Sequence, residues 1–215
     1  MRIVSITDWA DFWKEYREDA DGSSEHIHDF HMVDESNQWS QELRLHGETE
    51  RLQWVVGFYY LNIQHDMFGG MDAEQWFGSH VTNTTDLETD TYAFFGQGEY
   101  AINDQWSAIV GLRWTEDQKD IDLTTTCTQF VALYGAVTPA NDWCGIVYGG
   151  LVQNNQTLSG DRSRGEWSGT FELNWRPNGD WLVYGKYSRG NKAGSFNTGF
   201  LTFFTIEDWE FDGEV

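Results

Sequence analysis

Proline, cysteine and cationic side chains are scarce in this chain, and each scarcity removes a class of protein. Two prolines and dispersed glycines leave no linker at which to divide the 215 residues, so the chain reads as one body. Thirteen Lys and Arg against 35 Asp and Glu give a formal charge of −22, which argues against a nucleic-acid partner, because phosphate recognition needs clustered cations. Long apolar runs are absent too: the longest, Trp54 to Leu61, is far short of the ~20 residues a membrane helix needs. A β-barrel survives that filter, since its strands are only half apolar. The opening residues, Met1 to Tyr16, have neither an uninterrupted apolar core nor a small-residue cleavage site, so no signal peptide is expected there. The two cysteines, Cys127 and Cys144, fall in one polar, Gly-containing stretch, where a loop-stapling disulfide is expected in an oxidising compartment.

Catalytic signatures are missing as well. No nucleophile elbow, phosphate-cradling glycine loop or zinc helix occurs, and Gly96 and Gly98 lie within a strand pattern and open no helix. Neither an enzyme activity nor a cofactor is expected. Asp19-Ala20-Asp21-Gly22 fails as a calcium loop, because aligning Gly22 with the invariant glycine puts Arg17 and His28 at the first and last ligand positions. His26, His28 and His31 with Asp29 form a dense histidine cluster, but spacing fixes no further ligand and a solvated loop is the expectation.

Aromatic residues, in contrast, make up 16% of the chain, with 12 Trp, more than a soluble core usually requires. Their placement is periodic. Between Arg164 and Gly190 two alternating arms flank the turn Arg176-Pro177-Asn178-Gly179-Asp180, a hairpin pattern. One face of the first arm carries Trp167, Gly169, Phe171, Leu173 and Trp175; the other carries Ser168, Thr170, Glu172, Asn174 and Arg176. The second arm places Trp181, Val183, Gly185 and Tyr187 on the apolar side. A similar division runs through Arg51 to about Gln64, with Trp54 on the apolar face, and through the strands on either side of the turn Asn103-Asp104-Gln105. There Trp106 and Trp114 lie eight residues apart, as do Trp167 and Trp175. At ~3.3 Å per residue and ~40° tilt the indoles stand ~20 Å apart along a membrane normal, near the height of a barrel's apolar band.

Further strands are expected over Arg2 to about Arg17, with a helix over Trp9 to Tyr16 as its competitor, and over Ser40 to His46. Polar loops are expected from Glu18 to about Met32, between Gln64 and Asp90, and after Thr124. Short turns and long loops thus alternate, an asymmetry that outer-membrane barrels share. Acidic residues gather at Asp86-Glu88-Asp90, Glu116-Asp117-Asp120-Asp122 and Glu207 to Glu214, a solvated rim of loops and strand ends. The resulting expectation is an all-β fold of about seven long antiparallel strands in a curved up-and-down meander, too few to close a barrel unaided. Trp54, Trp106, Trp114, Trp167, Trp175, Trp181 and Tyr187 would form a lipid-facing aromatic girdle. Gln97, Glu99, Arg113, Glu172, Asn174 and Lys186 on the other face are candidate lumen contacts.

Several stretches carry a resemblance. Ser40-Gln41-Glu42-Leu43-Arg44-Leu45 followed by Gly57-Phe58-Tyr59-Tyr60, then Tyr92-Ala93-Phe94-Phe95-Gly96-Gln97, Gly111-Leu112-Arg113-Trp114-Thr115 and the run Tyr187 to Asn197 resemble the barrel of TonB-dependent outer-membrane receptors, in the iron-complex group. The last run is similar to the family's Tyr-Ser-Lys-Gly-Tyr-Lys-x-Gly-Gly-Phe-Asn, with Asn191 for Tyr and Ser195 for Gly. The resemblance implies a 22-stranded transmembrane barrel enclosing an N-terminal plug, with residues 1–215 as a middle section lacking plug, TonB box and terminal strand. It also implies a place in the bacterial outer membrane, contact with its lipid, coupling to the TonB complex through the plug, and uptake of an iron chelate such as a ferric siderophore. Two other readings stay open on the residues alone: a secreted β-sandwich that binds carbohydrate through exposed Trp, and a passive porin-type barrel.

Overall fold

Alternating apolar and polar side chains have one simple structural solution, an extended chain whose two faces meet different surroundings, and seven such segments pair here into one sheet. The computed structural model describes residues 1–25, 27–73, 79–129, 156–196 and 210–214. The strands are β1 (Arg2–Asp19), β2 (Asp29–Glu48), β3 (Leu52–Ala73), β4 (Ser79–Ala101), β5 (Trp106–Gln129), β6 (Gln156–Trp175) and β7 (Val183–Arg189). Each pairs antiparallel with the next in sequence, in the order β1 to β7, so the sheet is an uninterrupted meander. Two short strands, β8 (Ser195–Phe196) and β9 (Glu210–Phe211), form a separate ribbon.

The three tight connections have local chemical causes. After β2, Leu52 N–H donates to Thr49 Oγ1 at 3.1 Å and Thr49 N–H to the Leu52 carbonyl at 2.8 Å. After β4, Asn103 Oδ1 accepts from the N–H groups of Gln105 and Trp106, both at 2.9 Å. After β6, Asn178 Oδ1 accepts from Asp180 and Trp181 N–H at 3.2 Å each. An Asn oxygen that captures amides two and three residues on mimics a backbone turn, which is why both asparagines sit at hairpin tips. Strand parity puts all three at one end of the sheet.

The strands outrun expectation. β1 to β6 are 18 to 24 residues long. Segments expected as loops are strand instead, Asp29 to Met32, His65 to Ala73, Ser79 to Thr89 and Thr125 to Gln129, and β2 also takes in Val33 to Trp39, for which no element was expected. These segments lack an apolar outer row, yet Ser79 to Thr89 and Thr125 to Gln129 are rich in β-branched threonine, and all continue an unbroken ladder of pairings, which suffices for a strand. The helix considered for Trp9 to Tyr16 is likewise β1, held by pairing from Trp9↔Trp39 to Tyr16↔Met32. Trp181 precedes β7 and so lies outside the strand expected to carry it.

Burial distinguishes the two faces of the sheet. In β2 to β6 every buried side chain, including Ser40, Met67, Thr85, Ala93, Ser107, Leu123 and Asn174, lies on one face. The large exposed hydrophobics of the same strands, Trp39, Leu43, Val56, Phe94, Val110, Leu112, Trp167 and Phe171 among them, lie on the other. A lone sheet buries one face only if it curves and crowds that face together, so the first is the inner face and the second the outer.

Candidate functional site: a two-faced wall with a clasp on its inner side

The outer face is bracketed by aromatic pairs. Trp106 lies opposite Trp175, their rings stacked with centroids 5.7 Å apart and planes 17° from parallel. Trp114 lies opposite Trp167. Between the pairs run Ala108, Val110 and Leu112 on β5 and Gly169, Phe171 and Leu173 on β6, and Trp167 remains 61% exposed. Trp54 packs flat over Gly47, where a β-carbon would fall 2.3 Å from the indole, so only glycine leaves room for the ring. Val183 and Tyr187 extend the row onto β7. Three aromatics that the sequence reading did not nominate complete the band on β2 to β4. The Tyr60 ring lies 5.5 Å from Trp39 and 5.1 Å from Tyr92, and its hydroxyl donates to Asp90 Oδ1 at 2.6 Å. Trp39 was hidden because β2 was expected to begin at Ser40.

Beyond this band, toward the end opposite the tight turns, the outer face changes character. The outer rows become acidic: Glu88 faces Asp120, Asp86 faces both Asp66 and Asp122, and Asp120 faces Asp161. These carboxylates line a groove of about 450 Å³. Burial first, then the neighbouring Asp66 and Asp122, pushes the Asp86 carboxyl above its ordinary range. On the inner face at the same height Met67, Met71, Val81, Ile121 and Leu123 are buried together with the polar Asn83, Thr85 and Thr125.

At the height of the aromatic band the inner face is polar, and the six nominated residues all lie on it. One row across the strands contains Glu99, Ile109, Glu172 and Lys186; the adjacent rows contain Gln97 and Asn174. Gln97 lies against Gly111, and Gln97 and Glu99 border a cleft of about 440 Å³ with Arg2, His46, Glu48 and Gln53. Arg113 stands apart in an aromatic cradle, its guanidinium carbon 5.5 Å from the Tyr59 centroid and 5.8 Å from Phe95, while its Nε–H donates to Thr115 Oγ1 at 3.0 Å. The inner face thus brings these groups into neighbouring rows without converging them on one point.

Higher on the inner face, the β8–β9 ribbon folds back onto β6. Arg162, with its side chain 10% exposed, pairs with Glu210 and, at 2.9 Å, with Asp212. Arg164 reaches Asp212 at 3.6 Å and Glu166 at 2.7 Å. Lys119 lies opposite Arg162 in the register, and its ammonium is held below the ordinary lysine range by burial, with Asp117 opposing and Arg162 adding to the depression. No spacing in the sequence links residue 162 to residue 212, so the clasp was not legible there. Cys127 of the expected disulfide lies in β5, while its expected partner Cys144 and His26 of the histidine cluster lie outside the described residues; of that cluster, His31 Nε2 lies 3.2 Å from Glu15 Oε1. Among the described residues no group of three or more potential ligands could hold a metal ion.

Residues 6–212 match a protein family described as TonB dependent receptor-like, beta-barrel. Among solved structures, the ferric yersiniabactin uptake receptor FyuA from Yersinia pestis superposes with a TM-score of 0.76 at 16% identity, covering 98% of this chain and 28% of that one. That likeness is one of fold, and the chain spans 28% of the receptor's length. No curated protein matches the sequence.

Proposed function

We propose, from the premise that the chain belongs to the TonB-dependent receptor-like β-barrel family, that residues 1–215 form one section of the barrel wall of an outer-membrane receptor for energised uptake of a scarce solute, such as a ferric siderophore. The observation that carries this reading is the two-faced sheet. An apolar strip bracketed by paired indoles on one side and polar rows on the other is what a wall between acyl chains and a wet lumen requires. In this reading the strips from Trp106 to Trp114 and from Trp167 to Trp175 face lipid, with Trp54, Trp181 and Tyr187 in the same girdle. Gln97, Glu99, Arg113, Glu172, Asn174 and Lys186 line the solute's path, and TonB acts through a plug that the barrel encloses. The long strands past the aromatic band carry the wall out of the bilayer, where acidic outer rows meet water.

A carbohydrate-binding sandwich would bury the Trp106-to-Trp114 stripe under a second sheet; the seven strands instead form a single sheet and leave that stripe uncovered among the described residues. A passive porin differs in energetics, and uptake measurements separate the two. Cells producing the full-length protein should accumulate iron from a ferric chelate supplied below micromolar concentration, and deletion of TonB should abolish that accumulation. Flux that persists without TonB and rises in proportion to external solute would overturn the proposal in favour of a passive channel.

A further inference from the structure

In a chain of net charge −22, the inner face above the aromatic band gathers three of the 13 cationic side chains, Lys119, Arg162 and Arg164. Alternation puts Arg162 and Arg164 on one side of β6, and antiparallel pairing sets Lys119 beside Arg162. A guanidinium as enclosed as that of Arg162 is costly without an anion. The chain supplies its own: Glu210 and Asp212, two residues apart on the returning ribbon, reach Arg162 together, and Asp212 also faces Arg164. The contact is close. A β-carbon on Gly194 would fall 2.7 Å from the Arg162 guanidinium carbon, so the ribbon backbone lies directly on the cation.

We propose that Lys119, Arg162 and Arg164 form an anion-binding site in which Glu210 and Asp212 occupy the place of a solute's paired oxyanions, and that the solute displaces the ribbon to bind. Two features make displacement feasible. Among the described residues the ribbon is held by two register pairs, Ser195↔Phe211 and Phe196↔Glu210, and the Lys192↔Glu214 bridge, whereas β6 is anchored along its whole length. Its carboxylates are also accessible, Glu210 at 42% and Asp212 at 89% side-chain exposure, so water or an incoming anion can reach them while Arg162 stays enclosed. The spacing of the internal carboxylates defines the class of ligand: a polycarboxylate, or a metal chelate that presents two adjacent oxyanions. Arginine forks suit such groups, and the half-buried Lys119 ammonium, disfavoured by burial and further by Arg162 while Asp117 opposes, gains from added negative charge. The proposal rests on the inner face being the solute's path.

Citrate without iron is a suitable probe, titrated calorimetrically into the full-length protein in detergent with no TonB present. Competition by the ribbon predicts that Glu210→Gln combined with Asp212→Asn binds citrate at least tenfold more tightly than the parent. Adding Arg162→Gln, or separately Arg164→Gln, to that variant should remove the gain. A ribbon that merely ties the fold together would give unchanged or weaker citrate binding in Glu210→Gln/Asp212→Asn, and that result would overturn the proposal, as would a gain that survives both arginine substitutions. The two substituted carboxylates are exposed, so this arm does not depend on the tolerance of an enclosed arginine. Because no transport is measured, a negative result here leaves TonB-coupled uptake standing, and loss of uptake coupling leaves the binding result standing.

Discussion

Asp86 illustrates how a single carboxylate reports the environment of the outer face. Exposed on the outer face between β3 and β5, but partly desolvated there and facing Asp66 and Asp122, it favours its protonated form in the folded state more than an isolated aspartate does. A carboxyl whose folded pKa lies above its unfolded value binds more protons when folded, so stability is lost as pH rises from the ordinary aspartate range through the raised one. Asp86→Asn removes that dependence. Unfolding of the full-length protein in guanidinium, followed across pH 3.5 to 7, should show the midpoint of the parent falling relative to the variant as pH rises above the ordinary aspartate range. Parallel profiles would mean that Asp86 is solvated like any surface acid. Size acts at the same scale as charge: at Gly57 a β-carbon would meet the Phe95 ring at 2.4 Å and the Leu43 carbonyl at 2.7 Å, so the absence of a side chain there makes room for the cradle of Arg113.

Among the elements, the cores of the strands were legible and their far ends were not. Between Trp106 and Trp114 or Trp167 and Trp175 the two faces differ sharply in polarity, and period-two alternation reveals such a strand directly. From Thr82 to Glu88 both rows contain polar residues, and the reading of a loop followed from the missing apolar face. What makes that stretch a strand is non-local: each residue faces one on β3 and one on β5, a partnership invisible within a local window. The inner polar residues could be assigned to a face from the same alternation, but their grouping into rows needed the register. The Arg162 clasp needed a fold-back across 48 and 50 residues. Hydrogen exchange tests the element boundary. Backbone amides from Thr82 to Glu88 should exchange orders of magnitude more slowly than those of Ser23 to Glu25 between β1 and β2, because they donate across a continuous ladder. Similar rates in both segments would restore the loop.

At the scale of the whole molecule, one curved sheet solves two solvation problems at once. Its convex side offers an apolar strip that water alone would not tolerate over so many strands, and its concave side is polar at the height of that strip. The account stands or falls on which medium touches each face. Val110 lies midway between Trp106 and Trp114 on the outer face; Thr170, opposite Gly111 on the inner face, has its hydroxyl 3.1 Å from that of Ser188. The direct measurement is equilibrium unfolding of the full-length protein from lipid vesicles, comparing Val110→Arg with Thr170→Arg. A cation set against acyl chains near the midplane should cost ~2–4 kcal/mol, while one entering a wet lumen, with Glu172 two residues along the same face, should cost under about 1 kcal/mol. Equal costs, or the larger cost at Thr170, would contradict a lipid-facing convex surface.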